Sequence, residues 1–163
     1  MANVPPASTF TTAPLRHRLR VELNAPIAEV WALVGAHERL SEYSAGIERV
    51  EVTNSPRGRV CYFGPQAGPA AGLVSRERIV WEEPKVGYVT STDPDNDFGL
   101  INDVGIVTVA TTAQGTLLTW EQYYDHQDLA AARASFDEGI ADIGQRLVDR
   151  FGGRVLERFV DGP

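Results

Sequence analysis

The first periodic segment runs from Leu15 to Leu23. Leu15, Leu19, Val21 and Leu23 fall on one parity, and Arg16, Arg18, Arg20 and Glu22 on the other, which is the alternation of a half-buried strand. Asn24-Ala25-Pro26 stops it: Asn24 or Ala25 suits a cap, and Pro26 suits the first turn of a helix. Val30, Trp31, Leu33 and Val34 then form a short amphipathic helix, and Glu38 to Tyr43 a second, ended by Gly46. Six strand candidates follow at Ile47–Thr53, Arg59–Phe63, Leu73–Trp81, Val86–Thr92, Ile101–Thr111 and Thr116–Tyr124. The segments between them carry turn chemistry, as in Asn54-Ser55-Pro56-Arg57-Gly58, Glu82-Glu83-Pro84 and Gln114-Gly115, so the strands read as an antiparallel meander.

Asp128 is placed to cap a long helix. Leu129, Ala132, Phe136, Ile140, Ile143, Leu147, Phe151 and Val155 recur at steps of three or four and make one apolar stripe. Gly139 and Gly144 each weaken this helix by about 1 kcal/mol relative to Ala; small residues there let the sheet or a ligand come close. Gly152-Gly153 kinks the helix or ends it early. Residues 1–14, rich in Pro, Ser and Thr, read as a flexible arm, which leaves one domain over 15–160. A long amphipathic helix must bury its stripe, and the only large apolar surface available is the concave face of the sheet. A strongly curved sheet does not close tightly on one helix, so a cavity is expected between them.

Composition narrows the classes of function. The chain has 163 residues, 43% hydrophobic and 23% charged, as in an ordinary globular domain. Its net charge of −7 argues against nucleic acid and anionic membranes as partners. The alternating Arg16, Arg18 and Arg20 read, on that background, as a solvated strand face. No apolar run is long enough to span a bilayer, the first residues do not resemble a secretory signal, and the one cysteine, Cys61, fits a reducing, cytoplasmic setting. No cofactor or metal is expected. His17, His37, His126 and Cys61 are scattered, and Asp93-Pro94-Asp95-Asn96-Asp97 lacks the Gly and distal Glu of a calcium loop.

The stretch Val21-Glu22-Leu23-Asn24-Ala25-Pro26-Ile27-Ala28-Glu29-Val30-Trp31-Ala32-Leu33-Val34 resembles the opening of SRPBCC proteins, the START-like, birch-pollen-allergen-like helix-grip superfamily. Ile47-Glu48-Arg49-Val50 is similar to their second strand, and Glu77-Arg78-Ile79-Val80-Trp81 to their fourth. The resemblance implies an α+β helix-grip fold: a seven-stranded curved antiparallel sheet around a long C-terminal helix, with two short helices after the first strand. It is specific for fold and weak for function, because the superfamily includes polyketide cyclases, lipid carriers and hormone receptors.

Parity selects the residues expected to face the cavity. In Leu73–Trp81 the odd set, Leu73, Ser75, Glu77, Ile79 and Trp81, goes inward; in Ile47–Thr53 the even set does, which makes Glu48 an outer member of the site. Thr116–Tyr124 is apolar on both parities. Resemblance to the abscisic-acid receptors of the superfamily, which carry a pocket Glu in a Glu-x-Tyr stretch, implies Glu121 and Tyr123 inward, and with them Asn102, Val104 and Ile106 on the preceding strand. Those receptors have a Lys where this chain has Glu48, so an acidic hormone is not implied.

The expectation is a protein that encloses a small hydrophobic ligand or substrate, with Tyr88, Asn102, Val104, Ile106, Tyr123, Phe136, Ile140 and Ile143 around it. Glu77 and Glu121 form an acid/base pair suited to cyclisation or dehydration. A non-catalytic carrier or sensor of a lipophilic ligand is the alternative. The Gly/Pro loop 64–72 is placed to act as a lid, and the chain is expected as a monomer, or as a homodimer through an exposed first strand.

Overall fold

The computed structural model describes residues 3–162. Its order is β1 (Leu15–Leu23), α1 (Ile27–Val34), β2 (Ile47–Asn54), β3 (Arg57–Phe63), β4 (Val74–Glu83), β5 (Gly87–Thr92), β6 (Ile101–Thr112), β7 (Gly115–Asp125), α2 (Leu129–Phe151) and β8 (Gly153–Val160). Short 3-10 turns lie at Ala7–Thr9, His37–Glu42 and Pro65–Ala70. The strands form one antiparallel sheet in the order β2-β3-β4-β5-β6-β7-β1-β8. The meander joins strands by hairpins, so each lies beside its sequence neighbour.

The sheet has eight strands where seven were expected. The apolar stripe does not run on through Val155. Gly152 and Gly153 take φ of 74° and 111°, conformations that end a helix, and a Cβ on Gly153 would lie 1.9 Å from the Glu22 carbonyl oxygen. The chain therefore turns straight back as β8 against β1. With β7 on its other side, β1 is an interior strand, and the edge expected to support a dimer is already taken.

Asp128 caps α2 by accepting from the Ala131 amide at 3.1 Å. Ala132, Ile140, Ile143 and Leu147 are buried along its inner face, and each large side chain so buried contributes about 2 kcal/mol. Ile140, Ile143 and Leu147 share one core with Leu19, Val21, Leu23, Val107, Val109 and Leu118 of the concave face and Val30 and Leu33 of α1, while Ala132 packs with Leu100 and Tyr124. Pro26 itself stands at the N-cap of α1, with no side-chain cap, in place of Asn24 or Ala25.

A second, smaller cluster lies on the convex face. Ala7 and Phe10, in the segment read as a loose arm, pack there against Trp81, Val89, Val104, Ile106 and Tyr123. Residues 1 and 2 of that segment lie outside the described residues. Central strands thus bury side chains on both faces. This is the physical reason β6 and β7 show apolar residues on both parities.

Candidate functional site

Between α2 and the concave face lies a cavity of about 170 Å³. Its helix side is mostly apolar, with Phe136, Ile140 and Ile143 of α2 beside Ser135, and Leu40, Ile47, Phe63, Phe98 and Leu100 extend the apolar lining. Its sheet side carries Arg59, Ser75, Glu77, Thr90, Asp103, Trp120 and Gln122. A broader trough, about 580 Å³, lies on the convex face beneath Val4 to Ala7, but its Glu121 is already paired with Arg18 and its other polar side chains are mainly threonines. The concave cavity is where polar groups converge in an apolar enclosure.

Register explains the convergence. Arg59 on β3 stands opposite Glu77 on β4, and Glu77 opposite Thr92 on β5. Thr92 Oγ1 donates to one oxygen of Asp103 on β6. Gln122 Nε2 on β7 donates to the other at 2.6 Å, and Trp120 Nε1 donates to Gln122 Oε1 at 3.0 Å. One polar band thus crosses β3 to β7. Gly105 leaves room for it: a Cβ there would sit 3.0 Å from Thr90 Oγ1 and 3.3 Å from Gln122 Oε1.

Two carboxylates of the band sit in different environments. Glu77 Oε2 accepts from Arg59 Nε at 2.5 Å, and Ser75 Oγ donates to its other oxygen at 3.4 Å. Asp103 has no cation beside it. Burial pushes its pKa up to about 7, Thr92 and Gln122 oppose the rise by hydrogen bonding, and the charge of Glu77 adds to it. A carboxyl poised near neutrality can take or give a proton there. Arg59 is only 3% exposed, yet the charge of Glu77 holds its guanidinium well above the ordinary range despite desolvation. Burial pushes the Cys61 thiol up to about 12, as expected of an inert interior cysteine.

The expected residues divide between the two faces. Glu77, Phe136, Ile140 and Ile143 line the cavity. Tyr88 is fully buried in the main core, packed edge-on against His37 beyond the cavity wall. Val104, Ile106 and Tyr123 belong to the convex cluster. Glu121 also points to the convex side, where Arg18 Nε donates to it at 3.0 Å and Tyr123 Oη at 2.7 Å. The inward placement of these four is therefore corrected, and so is that of Asn102, which is exposed and whose carbonyl accepts from Thr11 Oγ1. Glu77 and Glu121 do not share a site.

β-Bulges account for the reversals on β2 and β4, whereas Glu121, Tyr123, Val104 and Ile106 lie in unbroken register and there the opposite parity faces inward. β6 carries an irregularity between Ile101 and Val104, with Asn102 at φ 52°, and from Asp103 onward its odd residues face the concave side and its even ones, Val104 and Ile106, the convex. The irregularity between Ile79 and Trp81 sends Trp81 to the convex cluster. That between Ile47 and Arg49 gives the cavity Ile47 and leaves Glu48 exposed. Asp103, Gln122, Trp120 and Arg59 were not identified from sequence. The available signal was Asp103 itself, a carboxylate amid the apolar run of β6, since an acidic residue is seldom fully buried without a purpose.

The acidic loop 93–97 has a structural role. Asn96 Nδ2 donates to the Asp93 and Leu100 carbonyls, its Oδ1 accepts from the Phe98 and Leu100 amides, and Asp97 accepts from the Val74 amide. Among the described residues no group of three or more His, Cys, Asp or Glu is arranged to hold a metal ion. No helix among them is long and apolar enough to cross a membrane.

Residues 15–160 match the family described as polyketide cyclase/dehydrase and lipid transport. No curated protein matches the chain significantly. Similar solved structures include the protein XoxI from Bacillus cereus, with TM-score 0.65 and 18% identity over 83% of this chain and 97% of that one. A START superfamily protein from Mycobacterium smegmatis gives TM-score 0.66 and 12% identity over 83% and 97% of the two chains. Ginseng major latex-like protein 151 from Panax ginseng gives 0.64 and 11% over 83% and 98%. At these identities the likeness is one of fold, the SRPBCC fold.

Proposed function

The chain belongs to the polyketide cyclase/dehydrase and lipid transport family, and from that premise we propose that it encloses a compact, mostly apolar carbonyl compound and moves a proton on it through Asp103. The observation that carries this reading is the buried Asp103, with no cation beside it, in the polar band that faces the apolar helix across the cavity. A volume of about 170 Å³ is below the roughly 300–1,000 Å³ of drug-sized ligand pockets. That favours one or two rings over a long acyl chain.

In the proposed step Asp103 accepts a proton from the carbon beside a carbonyl group, and the C–H electron pair becomes the enolate. Arg59, along the same band, supplies positive charge toward the developing oxyanion. Return of the proton to a leaving hydroxyl completes a dehydration. Attack of the enolate carbon on a second carbonyl of the same molecule closes a ring, and Asp103 returns its proton to the alkoxide oxygen so formed.

The test uses 2-tetralone, a two-ring ketone. Its binding is followed by fluorescence of Trp120 on the cavity wall, and its α-proton exchange in D2O by NMR. Saturable exchange that falls by about 100-fold or more in Asp103→Asn is the expected result, the usual scale for a general base. Binding without protein-dependent exchange turns the reading to the carrier or sensor alternative. No binding at all removes the cavity reading.

A further inference from the structure

Arg59 does not meet Glu77 alone. Its Nη1 donates to His37 Nδ1 at 3.2 Å, and His37 Nε2 lies 2.9 Å from Glu82 Oε1. Glu82 in turn meets the Arg57 guanidinium at 3.2 Å. His37 belongs to the 3-10 turn that braces α1 against the sheet, and it is 1% exposed. Its ring stands edge-on to Tyr88, with centroids 4.6 Å apart.

The chemistry of these contacts fixes the imidazole. A guanidinium offers only donors, so Nδ1 must carry the lone pair and Nε2 the proton. That tautomer is also the one that can donate to Glu82. A doubly protonated ring would set an N–H against the N–H of Arg59. Burial and the Arg59 cation accordingly push the pKa of His37 below its ordinary value, against the opposing pull of Glu82.

Two anchored nitrogens define the guanidinium plane: Nε on Glu77 and Nη1 on His37. With only the Glu77 contact, the group can swing about one bond. We propose that His37 is a positioning residue for the cavity, holding Arg59 so that the Arg59–Glu77 pair presents one orientation to the bound molecule, while Glu82 selects the tautomer that does so. This rests on the ligand-binding reading above, although its first test needs no ligand.

That test is the exchange rate of the Arg59 Nε–H, read by NMR on the free full-length protein, together with the ¹⁵N shifts of His37. The wild type is expected to show a protected Arg59 Nε–H and the Nε2–H tautomer. His37→Gln keeps a group near Nε2 and loses the Nδ1 acceptor; losing a hydrogen bond to a charged group is expected to speed exchange about tenfold or more and to weaken 2-tetralone binding similarly. His37→Asn restores an acceptor near Nδ1 and is expected to recover both to within about threefold. Glu82→Ala, at the partly exposed end, is expected to mix the His37 tautomers and raise Arg59 exchange with the fold intact.

Equal Arg59 exchange in wild type and a folded His37→Gln would overturn the proposal. So would equal failure of His37→Asn and His37→Gln, which would reduce His37 to packing. Should His37→Gln not fold, an unchanged Arg59 signal and an unchanged His37 tautomer in Glu82→Ala overturn it as well. If 2-tetralone binds no variant, the cavity reading fails while the exchange data still decide the role of His37.

Discussion

Arg59–Glu77 and Arg18–Glu121 are the same local object on opposite faces of one sheet. Each is an Arg and a Glu directly opposed on neighbouring antiparallel strands. The N···O distances are 2.5 Å and 3.0 Å. The side chains of the concave pair are 3% and 17% exposed, against 35% and 22% for the convex pair. The concave pair lies beside an apolar cavity and is fixed by His37; the convex pair shares its solvent-facing side with Glu157 and Tyr123. The difference teaches that cross-strand pairing sets which residues meet, while the face sets what their meeting is worth.

The largest expected effect tests that statement directly. Arg59→Leu leaves Glu77 without its cation and should cost about 3–5 kcal/mol, whereas Arg18→Leu should cost about 1 kcal/mol or less. Urea unfolding of both variants at neutral pH measures the gap. Equal losses would break the comparison.

Asp103 supplies the next effect. Its folded pKa lies above its unfolded one, so the folded state holds this proton more tightly, and the associated stability is present below about pH 4 and lost as pH rises through about 7. Asp103→Asn keeps a neutral amide on Thr92 and Gln122 and should raise stability at pH 8 by roughly 2–4 kcal/mol, with little change at pH 4. His17 works the other way. Its pKa is pushed by burial from 6.5 down to about 4, so the unfolded state takes up the proton first and stability falls as pH drops through that window. Denaturant titrations from pH 4 to 8 should therefore show the two slopes offsetting in the wild type and the histidine slope alone in Asp103→Asn.

Phe10→Ala should cost roughly 1–2 kcal/mol, the transfer value of a half-buried ring, by opening the convex cluster. Because Phe10 does not line the cavity, 2-tetralone affinity should stay within about twofold; a larger loss would couple the two faces. The smallest effect belongs to α2. A Cβ on Gly139 meets nothing within 4 Å, so Gly139→Ala should gain about 0.5–1 kcal/mol of helix stability in thermal unfolding. Gly144→Ala should gain less, since its Cβ would press on Leu19 at 3.1 Å.

Much of the fold was legible. The alternation of Leu15–Leu23, the meander with its turns, the Asp128 cap and the stripe from Leu129 to Phe151 are local signals, and the observed elements follow them within a few residues. The eighth strand was hidden because Val155 happens to continue the spacing of the stripe, while the conformation of Gly152-Gly153 breaks it. The cavity was legible in part: Glu77, Phe136, Ile140 and Ile143 followed from parity and helical spacing. Asp103 and Gln122 were not, because β6 and β7 are apolar on both sides and parity has no preferred origin there.

The sequence alone determined the elements from β1 to α2, the antiparallel meander of β2 to β7 and the apolar inner face of the last helix, since each depends on contacts between residues near one another in the chain. The tertiary structure alone decided that Asp103 looks inward and Glu121 does not. The cover that Ala7 and Phe10 place on the convex face makes both parities of β6 and β7 apolar, and so removes the polarity contrast that reveals the inward face on the other strands.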